Sequence, residues 1–473
     1  MQSSNLTDFV DSVQEGGAVH GVNTNDLVQR SLKSVWHPCT QMQHHESTPL
    51  IAVSRGEGAW LYGTDGRRYL DAISSWWVNL FGHANPRINS AIKSQLDRLE
   101  HAMLAGFTHS TVVELSETLS DLTNNVLGHV FYASDGASAV EIALKMSFHY
   151  WKNTGLASKQ EFICVKGGYH GETIGALSVT DVPIFKTAYA ELIKNTHVVM
   201  SPDYRQIDLN YNQNDAVSVK ASKEVAALKA AQEFEDLLKA RADFICAVIL
   251  EPLVQCAGGM AMHDPVYLER VRALCDQYGV HLIADEIAVG CGRTGTFFAF
   301  EQANCWPDFV CLSKGISGGY LPLSLVMTKD EIYRAFYDSK VSKAFLHSHS
   351  YTGNPLACSA ALATLAIFRE DQTLKANTEL SRNISKALEP LKSDHRVKHF
   401  RNQGMIWAFD ACEQDPALEQ TFSRRFFAKA LEHELLLRPI GTTVYFMPPY
   451  ILDDAQVQHL AQRTIEVFDT VMR

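Results

Sequence analysis

The sequence lacks the features that mark secreted, membrane-spanning and nucleic-acid-binding proteins. Its ten cysteines include no C-x-x-C pair, and several lie inside apolar runs (Cys164, Cys246 and Cys311). This pattern predicts reduced thiols in the core and no disulfide framework. No apolar run approaches the roughly 20 residues that a membrane span needs. Aspartate and glutamate number 53 against 42 lysines and arginines, so the net charge of −11 provides no basic surface for nucleic acid or an anionic membrane.

The N-terminus also lacks the pattern of a signal peptide. Residues 1–30 are polar and acidic, without a basic start or an apolar core. We therefore expect 1–30 to be a mobile segment of a cytoplasmic protein. We find no internal repeat and predict no metal site.

What the sequence does contain is an alternation of apolar runs and helical patterns. Strand-like runs occupy 129–133, 162–166, 197–200, 244–250, 281–287 and 309–313. Helical spacing of apolar residues occupies 137–151, 223–240 and 266–278. Because the strand-like runs are continuously apolar, they predict an α/β fold with a mainly parallel sheet covered by helices on both faces.

The two ends of the chain differ from this central pattern. Residues 31–85 consist of short strands and turns, and the C-terminal part combines long helices with strand-like pieces at 397–410 and 443–447. We predict a large domain over 86–345 and a smaller α+β domain formed by 31–85 together with 346–473. The polar stretch 201–220 is predicted to be a loop.

Lys314 ends the apolar run 309–312 within the stretch DFVCLSKGISGGYLP. A lysine at the end of a buried strand is desolvated, which favours its neutral amine, and Schiff-base chemistry with a carbonyl requires a neutral amine. The alternative is a lysine that extends to the surface beyond the strand end, which is the commoner case for a lysine taken alone.

Asp285 ends another apolar run, HLIAD, at the edge of the sheet where Lys314 is also expected. A buried carboxylate needs a cationic partner. Arg293 is one candidate for that partner. The other is the protonated ring nitrogen of pyridoxal phosphate, whose role as an electron sink an aspartate strengthens.

A candidate anion site lies at 134–138, where a strand runs through Gly136 and Ala137 into a helix. Free backbone N–H groups at a helix start bind phosphate, and a glycine allows close approach. The alternative is that Asp135 or Ser138 is only a helix cap.

Three further features are candidates for binding. Tyr169 in KGGYHGET either stacks on a cofactor ring or packs in a loop. The segment 347–357, HSHSYTGNPLA, is rich in hydroxyl groups and offers a second set of phosphate donors, across a subunit boundary if the chain is oligomeric. Arg438 follows an apolar run and suits bidentate capture of a carboxylate, with a structural ion pair as the alternative.

Six motifs, in the order DGASAVE, KGGYHGET, ILEP, IADEIAVGCGRTG, CLSKGISGGYLPLS and HSYTGNPLA, resemble those of the class III, fold-type I aminotransferases that use pyridoxal 5′-phosphate. The resemblance extends from about Trp36 to the C-terminus. It implies a large domain built on a sheet of the seven-stranded type and a homodimer with shared active sites.

The resemblance also implies roles for the residues that match the family's motifs. Lys314 would bind the cofactor covalently and transfer the proton between the substrate carbon and the cofactor. Asp285 would pair with the pyridine nitrogen, and Tyr169 would stack on the ring.

Phosphate binding, by the same resemblance, would involve two subunits. Gly136 and Ala137 would donate backbone N–H groups. His349 and Ser350 would come from the neighbouring subunit.

Within the family, the stretches WHPCTQM, SSWWVNLFGH and LRPIGTTVYFMPPYI resemble members that act in biotin biosynthesis. Those members aminate 8-amino-7-oxononanoate, with S-adenosyl-L-methionine as the donor. Arg438 would then hold the acceptor's carboxylate. The residues implied to line the pocket are Trp76, Trp77, Tyr169, Ser348 and Tyr445. An aromatic wall attracts a sulfonium cation through cation–π contact, which agrees with this donor.

The sequence departs from the family's pattern at three places. Cys39 occupies the position of a tyrosine credited with substrate recognition, which leaves donor binding open. Ala137 replaces a common serine, and HSHS replaces the HGPT of some relatives while keeping a hydroxyl at Ser350. The alternatives are therefore lysine as the donor, another ω-aminotransferase such as an ornithine enzyme, or a cofactor-binding protein without turnover.

Overall fold

The computed structural model describes residues 24–48, 50–206, 215–413 and 415–473. Most of the segment 1–30, predicted to be mobile, lies outside the described residues, and so does much of the predicted loop 201–220. Within the described part, residues 24–34 form a helix. A further helix begins at Ala216, so the prediction of a loop is wrong for 216–220, which Asp215 caps by accepting the backbone N–H of Val217.

Sixteen strands run through the described residues. They are β1 (Val53–Glu57), β2 (Trp60–Gly63), β3 (Arg68–Asp71), β4 (His129–Ala133), β5 (Glu161–Val165), β6 (His197–Val199), β7 (Ile245–Leu250), β8 (Val254–Gln255), β9 (Ala261–Met262), β10 (His281–Asp285), β11 (Phe309–Leu312), β12 (Ser324–Thr328), β13 (Val397–Gln403), β14 (Ile406–Ala411), β15 (Leu435–Leu436) and β16 (Thr443–Phe446).

The right-handed α-helices are α1 (Thr24–Ser34), α2 (Pro86–Leu96), α3 (Ser110–Leu122), α4 (Gly136–Asn153), α5 (Ile174–Ser178), α6 (Pro183–Lys186), α7 (Ala216–Arg241), α8 (Val266–Tyr278), α9 (Asp330–Arg334), α10 (Pro355–Glu370), α11 (Thr373–Ala387), α12 (Glu389–Lys392), α13 (Pro416–Glu432) and α14 (Asp454–Val471). Short 3₁₀ helices cover Met42–Glu46, Thr187–Leu192, Tyr204–Gln206, Ala299–Ala303, Lys314–Ser317 and Val341–Lys343.

A seven-stranded sheet in the order β4-β12-β11-β10-β7-β5-β6 forms the centre of the molecule. The strands from β11 to β6 are parallel, and β12 is antiparallel to both of its neighbours. Alternate residues of β11 pack into different apolar clusters: Val310 and Leu312 into one, Phe309 and Cys311 into the other. Side chains of a strand alternate between faces, so both faces of the sheet are covered. The prediction of an α/β fold with a mainly parallel sheet is confirmed.

Strands from the N-terminal and C-terminal parts of the chain form smaller sheets, separate from the central one. β15 pairs in parallel with β3, which joins the C-terminal part to the N-terminal strands. β13, β14 and β16 form a separate antiparallel sheet. These pairings agree with a smaller domain drawn from both ends, although its boundaries at 31–85 and 346–473 stay a prediction.

The sequence predicts neither a disulfide framework nor a membrane-spanning segment. All ten cysteines lie in the described residues, and none forms a disulfide. Among the described residues, no helix combines the length and apolar character that crossing a membrane requires.

Candidate active site

A cavity of about 770 Å³ opens at the carboxyl ends of β10 and β11. This is the edge at which open α/β sheets bind ligands. The cavity brings together six of the residues singled out from the sequence: Trp77, Gly136, Ala137, Tyr169, Asp285 and Lys314. Parallel pairing of β10 with β11 places Asp285 beside Cys311, so Lys314 follows three residues later at the same edge.

Lys314 begins the 3₁₀ helix after β11 and has a positive φ of 46°, which is unusual for a residue with a side chain. Its Nζ lies 5.3 Å from the centre of the Trp77 ring. Burial lowers the pKa of the amine, while the nearby charge of Asp285 acts in the opposite direction. Among the described residues no carboxylate forms an ion pair with the amine. The surroundings thus favour the neutral form that reaction with a carbonyl requires.

The backbone beyond Lys314 passes very close to the segment that carries the tryptophans. A Cβ atom on Gly319, whose φ is +85°, would lie 2.9 Å from the backbone of Val78. Only glycine fits such a close approach at a positive φ.

Asp285 is 3% exposed and forms a hydrogen-bonded pair with a histidine that the sequence reasoning did not select. Its Oδ2 lies 2.7 Å from His170 Nδ1, and its Oδ1 accepts the backbone N–H of Ile287 at 3.1 Å. Arg293 instead donates to the backbone carbonyls of Pro448 at 2.6 Å and Asn79 at 3.1 Å. The alternative pairing of Asp285 with Arg293 is therefore absent.

The start of helix α4 lies at one end of the cavity. Asp135 caps the helix, accepting the backbone N–H of Ser138 at 2.9 Å and its hydroxyl at 2.8 Å. The N–H groups of Gly136 and Ala137 have no acceptor among the described residues. A Cβ atom on Gly136 would lie 3.0 Å from the Ile287 side chain. The predicted cap is thus present, and the aspartate satisfies one N–H while the two N–H groups before it stay available for an acceptor.

A second buried carboxylate, Glu251, was also missed from the sequence. Its oxygens accept the backbone N–H groups of Tyr169 and Cys256, both at 3.0 Å. Burial raises the pKa of Glu251 to about 7, with Asp285 adding to the rise. The available signal was an ionisable residue directly after the wholly apolar run ICAVIL. Tyr169 itself lines the cavity and donates its hydroxyl to Glu172 at 2.9 Å.

A second cavity, of about 500 Å³, contains four other predicted residues: Cys39, Trp76, Arg438 and Tyr445. The two cavities are neighbours, because the indole N–H of Trp77 in the first donates to the Tyr445 hydroxyl of the second at 3.2 Å. The Arg438 guanidinium lies 5.0 Å from the centre of the Trp76 ring. One of its N–H groups donates to the Cys39 carbonyl oxygen at 3.2 Å. Within the described residues it forms no ion pair with a carboxylate.

The two tryptophans lie on a strained turn. Ser74, Ser75, Trp76 and Trp77 have consecutive positive φ angles of 51°, 47°, 72° and 74°. We call this segment the left-handed turn. For residues with side chains this conformation costs roughly 1–2 kcal/mol each, so neighbouring contacts must hold it.

Three predicted residues are not in either cavity of the chain. Ser348 and Ser350 are exposed, and His349 lies in the loop between them. The adjacent His347 contacts Lys145, with 2.8 Å between Nδ1 and Nζ. A single chain therefore does not bring these residues to Lys314.

The fold and the cavity around Lys314 indicate a class of protein, and comparison with known proteins identifies the same class. The model of the family "Aminotransferase class-III" matches residues 41–468. The chain belongs to the class III aminotransferase family.

The relatives that it resembles include adenosylmethionine-8-amino-7-oxononanoate aminotransferases. That of Helicobacter pylori is 43% identical over 456 residues, covering 95% of this chain and 99% of the relative. That of Aquifex aeolicus is 38% identical, covering 90% and 93%. The crystal structure of the Methanocaldococcus jannaschii enzyme aligns with a TM-score of 0.86 at 33% identity, covering 95% and 99%. An amine transaminase from an uncultivated Pseudomonas species, solved in its PLP-bound form, aligns with a TM-score of 0.85 at 28% identity, covering 92% and 98%.

Proposed function

We propose that this protein transfers an amino group to 8-amino-7-oxononanoate, giving 7,8-diaminononanoate in biotin biosynthesis. The proposed donor is S-adenosyl-L-methionine, the cofactor is pyridoxal 5′-phosphate, and the location is the cytoplasm. The observation that carries the choice of substrate is Arg438, whose guanidinium pairs with no carboxylate of the described residues and lies in the cavity next to Lys314.

The residues of the first cavity fit pyridoxal phosphate. Lys314 would bind it covalently, Asp285 would face its ring nitrogen, and the N–H groups of Gly136 and Ala137 would bind its phosphate. When bound, the cofactor carries the amino group between the two substrates and acts as an electron sink.

Side chains of the first cavity transfer the proton and hold the neighbouring groups in place. The Nζ of Lys314 accepts and returns the proton because desolvation keeps its pKa low. His170 holds the Asp285 carboxylate by a 2.7 Å contact, which orients it within the cavity. Glu251 fixes the loop of Tyr169 through a backbone N–H.

The second cavity suits the two substrates in turn. The acceptor carries a carboxylate on a long apolar chain, and Arg438 offers a fork of donors for that carboxylate. The donor carries a sulfonium cation, for which the Trp76 ring is an attractive wall. Because unlike substrates share one site, the reaction follows a ping-pong order with the amino group held on the enzyme between them.

A panel of amino donors assayed with 8-amino-7-oxononanoate tests this function. We expect rapid loss of the visible absorbance of the bound cofactor with S-adenosyl-L-methionine, and slow or no loss with lysine and ornithine. Rapid reaction with lysine alone would show that lysine is the donor and would leave the assignment of the acceptor unchanged. Failure of every donor to yield 7,8-diaminononanoate would overturn the proposal.

We further propose a homodimer in which each phosphate site is completed by His349 and Ser350 of the other copy. The supporting observation is that these residues lie outside both cavities of their own chain, with Ser350 exposed. Nε2 of His349 is buried and has no hydrogen-bond partner in the described part of the chain.

Mixed dimers separate this arrangement from a site built by one chain. One copy carries Lys314→Ala and the other carries His349→Ala with Ser350→Ala. A shared site predicts that mixing restores about half of the wild-type activity, since one site regains all of its residues. No restoration in verified mixed dimers would show that each chain uses its own His349 and Ser350. Full activity of the His349→Ala, Ser350→Ala homodimer by itself would show that the site uses neither residue.

A further inference from the structure

Asp71 ends strand β3 three residues before Ser74, where the left-handed turn begins, and it lines neither cavity. Its side chain is fully buried. A carboxylate in that position is costly unless hydrogen bonds compensate for its lost hydration. The location of those bonds therefore indicates what the residue does.

Two of the bonds go to the turn itself. Asp71 Oδ1 accepts the backbone N–H of Ser75 at 2.8 Å, and Oδ2 accepts the Ser75 hydroxyl at 2.7 Å. Oδ2 also lies 3.0 Å from His83 Nε2, which fixes the carboxylate from the other side. Hydrogen bonds to a charged acceptor are about twice as strong as neutral ones. Asp71 thus binds the centre of the segment whose φ angles are unfavourable.

The remaining contacts of the turn leave its middle dependent on Asp71. Ser74 donates its hydroxyl to the Met447 carbonyl at 2.8 Å, and the backbone N–H of Trp77 donates to Ile73 at 2.8 Å. These bonds hold the two ends of the turn. Trp76, in the middle, is 44% exposed, so packing alone does not fix its direction.

The turn also sets how the two cavities are separated. Trp77 faces Lys314 in the first cavity, and Trp76 faces Arg438 in the second. Because adjacent residues of one turn carry both rings, a single relaxation toward negative φ would displace both walls together.

We propose that Asp71 is a positioning residue that holds the left-handed turn and thereby sets both tryptophan walls of the substrate site. This inference rests on the proposed function for its kinetic consequence, and on the geometry alone for its structural one. Loss of the charge should disturb substrate binding more than it disturbs the overall fold.

The test compares Asp71→Asn with Asp308→Asn. Asp308 is also buried and charged, bonded to Arg272 at 2.8 Å and Lys329 at 2.7 Å, and it lines neither cavity. Both variants should lower the melting temperature. Only Asp71→Asn should raise KM for 8-amino-7-oxononanoate, by at least tenfold, with a smaller change in kcat. If its KM stays within twofold of wild type, Asp71 is merely structural and the proposal is wrong.

A measurement without substrate keeps the inference separate from the proposed function. Asp71→Asn should change the near-ultraviolet circular dichroism of the tryptophans. The change should vanish when Asp71→Asn is made in a chain that already carries Trp76→Phe and Trp77→Phe. An unchanged spectrum, or a change that persists in that background, overturns the inference whether or not the wild-type enzyme aminates the proposed acceptor. If Asp71→Asn does not fold, Ser75→Ala, which removes only one of the bonds, is judged by the same spectra.

Discussion

Replacing Arg438 tests the substrate assignment most directly. In the structure its guanidinium lies beside Trp76 and donates to the Cys39 carbonyl, and within the described residues no carboxylate pairs with it. Arg438→Ala therefore breaks no ion pair of the free protein. Its effect should appear mainly when a carboxylate substrate binds.

The magnitude follows from the bond that would be lost. A hydrogen bond to a charged group contributes about 1.5–3 kcal/mol, and about 1.4 kcal/mol corresponds to a tenfold change in affinity. Arg438→Ala should thus weaken acceptor binding about 10- to 100-fold. Arg438→Lys keeps the charge but loses the planar fork, so its loss should be intermediate.

Separate half-reactions measure the effect on each substrate. The apparent dissociation constant is obtained for the donor with the aldehyde form of the cofactor and for 8-amino-7-oxononanoate with the amine form. Arg424, which lines the same cavity and is exposed, provides the matched control, and Arg424→Ala should leave acceptor binding within about twofold. Because the donor is an α-amino acid with a carboxylate of its own, weakening of both substrates would extend the role of Arg438 to the donor. Unchanged acceptor binding in Arg438→Ala would refute the carboxylate role, and loss only in Arg424→Ala would transfer that role to Arg424.

Three other predictions follow from the two cavities and the core. Lys314→Ala should remain folded yet lose covalent cofactor absorbance and transamination, and near-normal turnover would remove the assignment. Gly136→Val should raise the dissociation constant of the cofactor, because even its Cβ would lie 3.0 Å from Ile287; unchanged affinity measured by equilibrium dialysis would contradict the phosphate site. Burial lowers the pKa values of His263 and His281 to about 4, so the unfolded chain takes up protons near pH 6.5 that the folded chain binds only near pH 4. Their contribution to stability is therefore present above pH 6.5 and is lost as the pH falls through 4, by at most about 3 kcal/mol each. The variant His281→Gln should make the melting temperature depend less on pH over that range. An unchanged pH dependence of the melting temperature would contradict the reasoning.

The central sheet was predictable because its strands are long apolar runs separated by helical patterns. Strand β12 was missed, since SLVMT follows a glycine-rich stretch and reads as the end of a loop. Its antiparallel direction depends on pairing with β4 and β11, which no local pattern encodes.

The candidate site was predictable only where a residue ends an apolar run. Lys314 and Asp285 carry that signal, but the partner of Asp285 does not follow from it. His170 comes from a different strand end, so its pairing required the order of strands in the sheet. The positive φ angles at Trp76 and Trp77 are likewise invisible in the sequence, because neither serine nor tryptophan favours that conformation.

The positions of the two cavities along the chain have a consequence for how the protein is made. The first cavity takes its residues from 77–323, whereas the second also needs residues 423–445 near the end of the chain. Chains emerge from the ribosome N-terminus first, and domains fold as units during synthesis. The lysine cavity therefore has all of its lining residues translated before the arginine cavity does, and a chain stopped before residue 423 would contain every lining residue of the first cavity and lack several of the second.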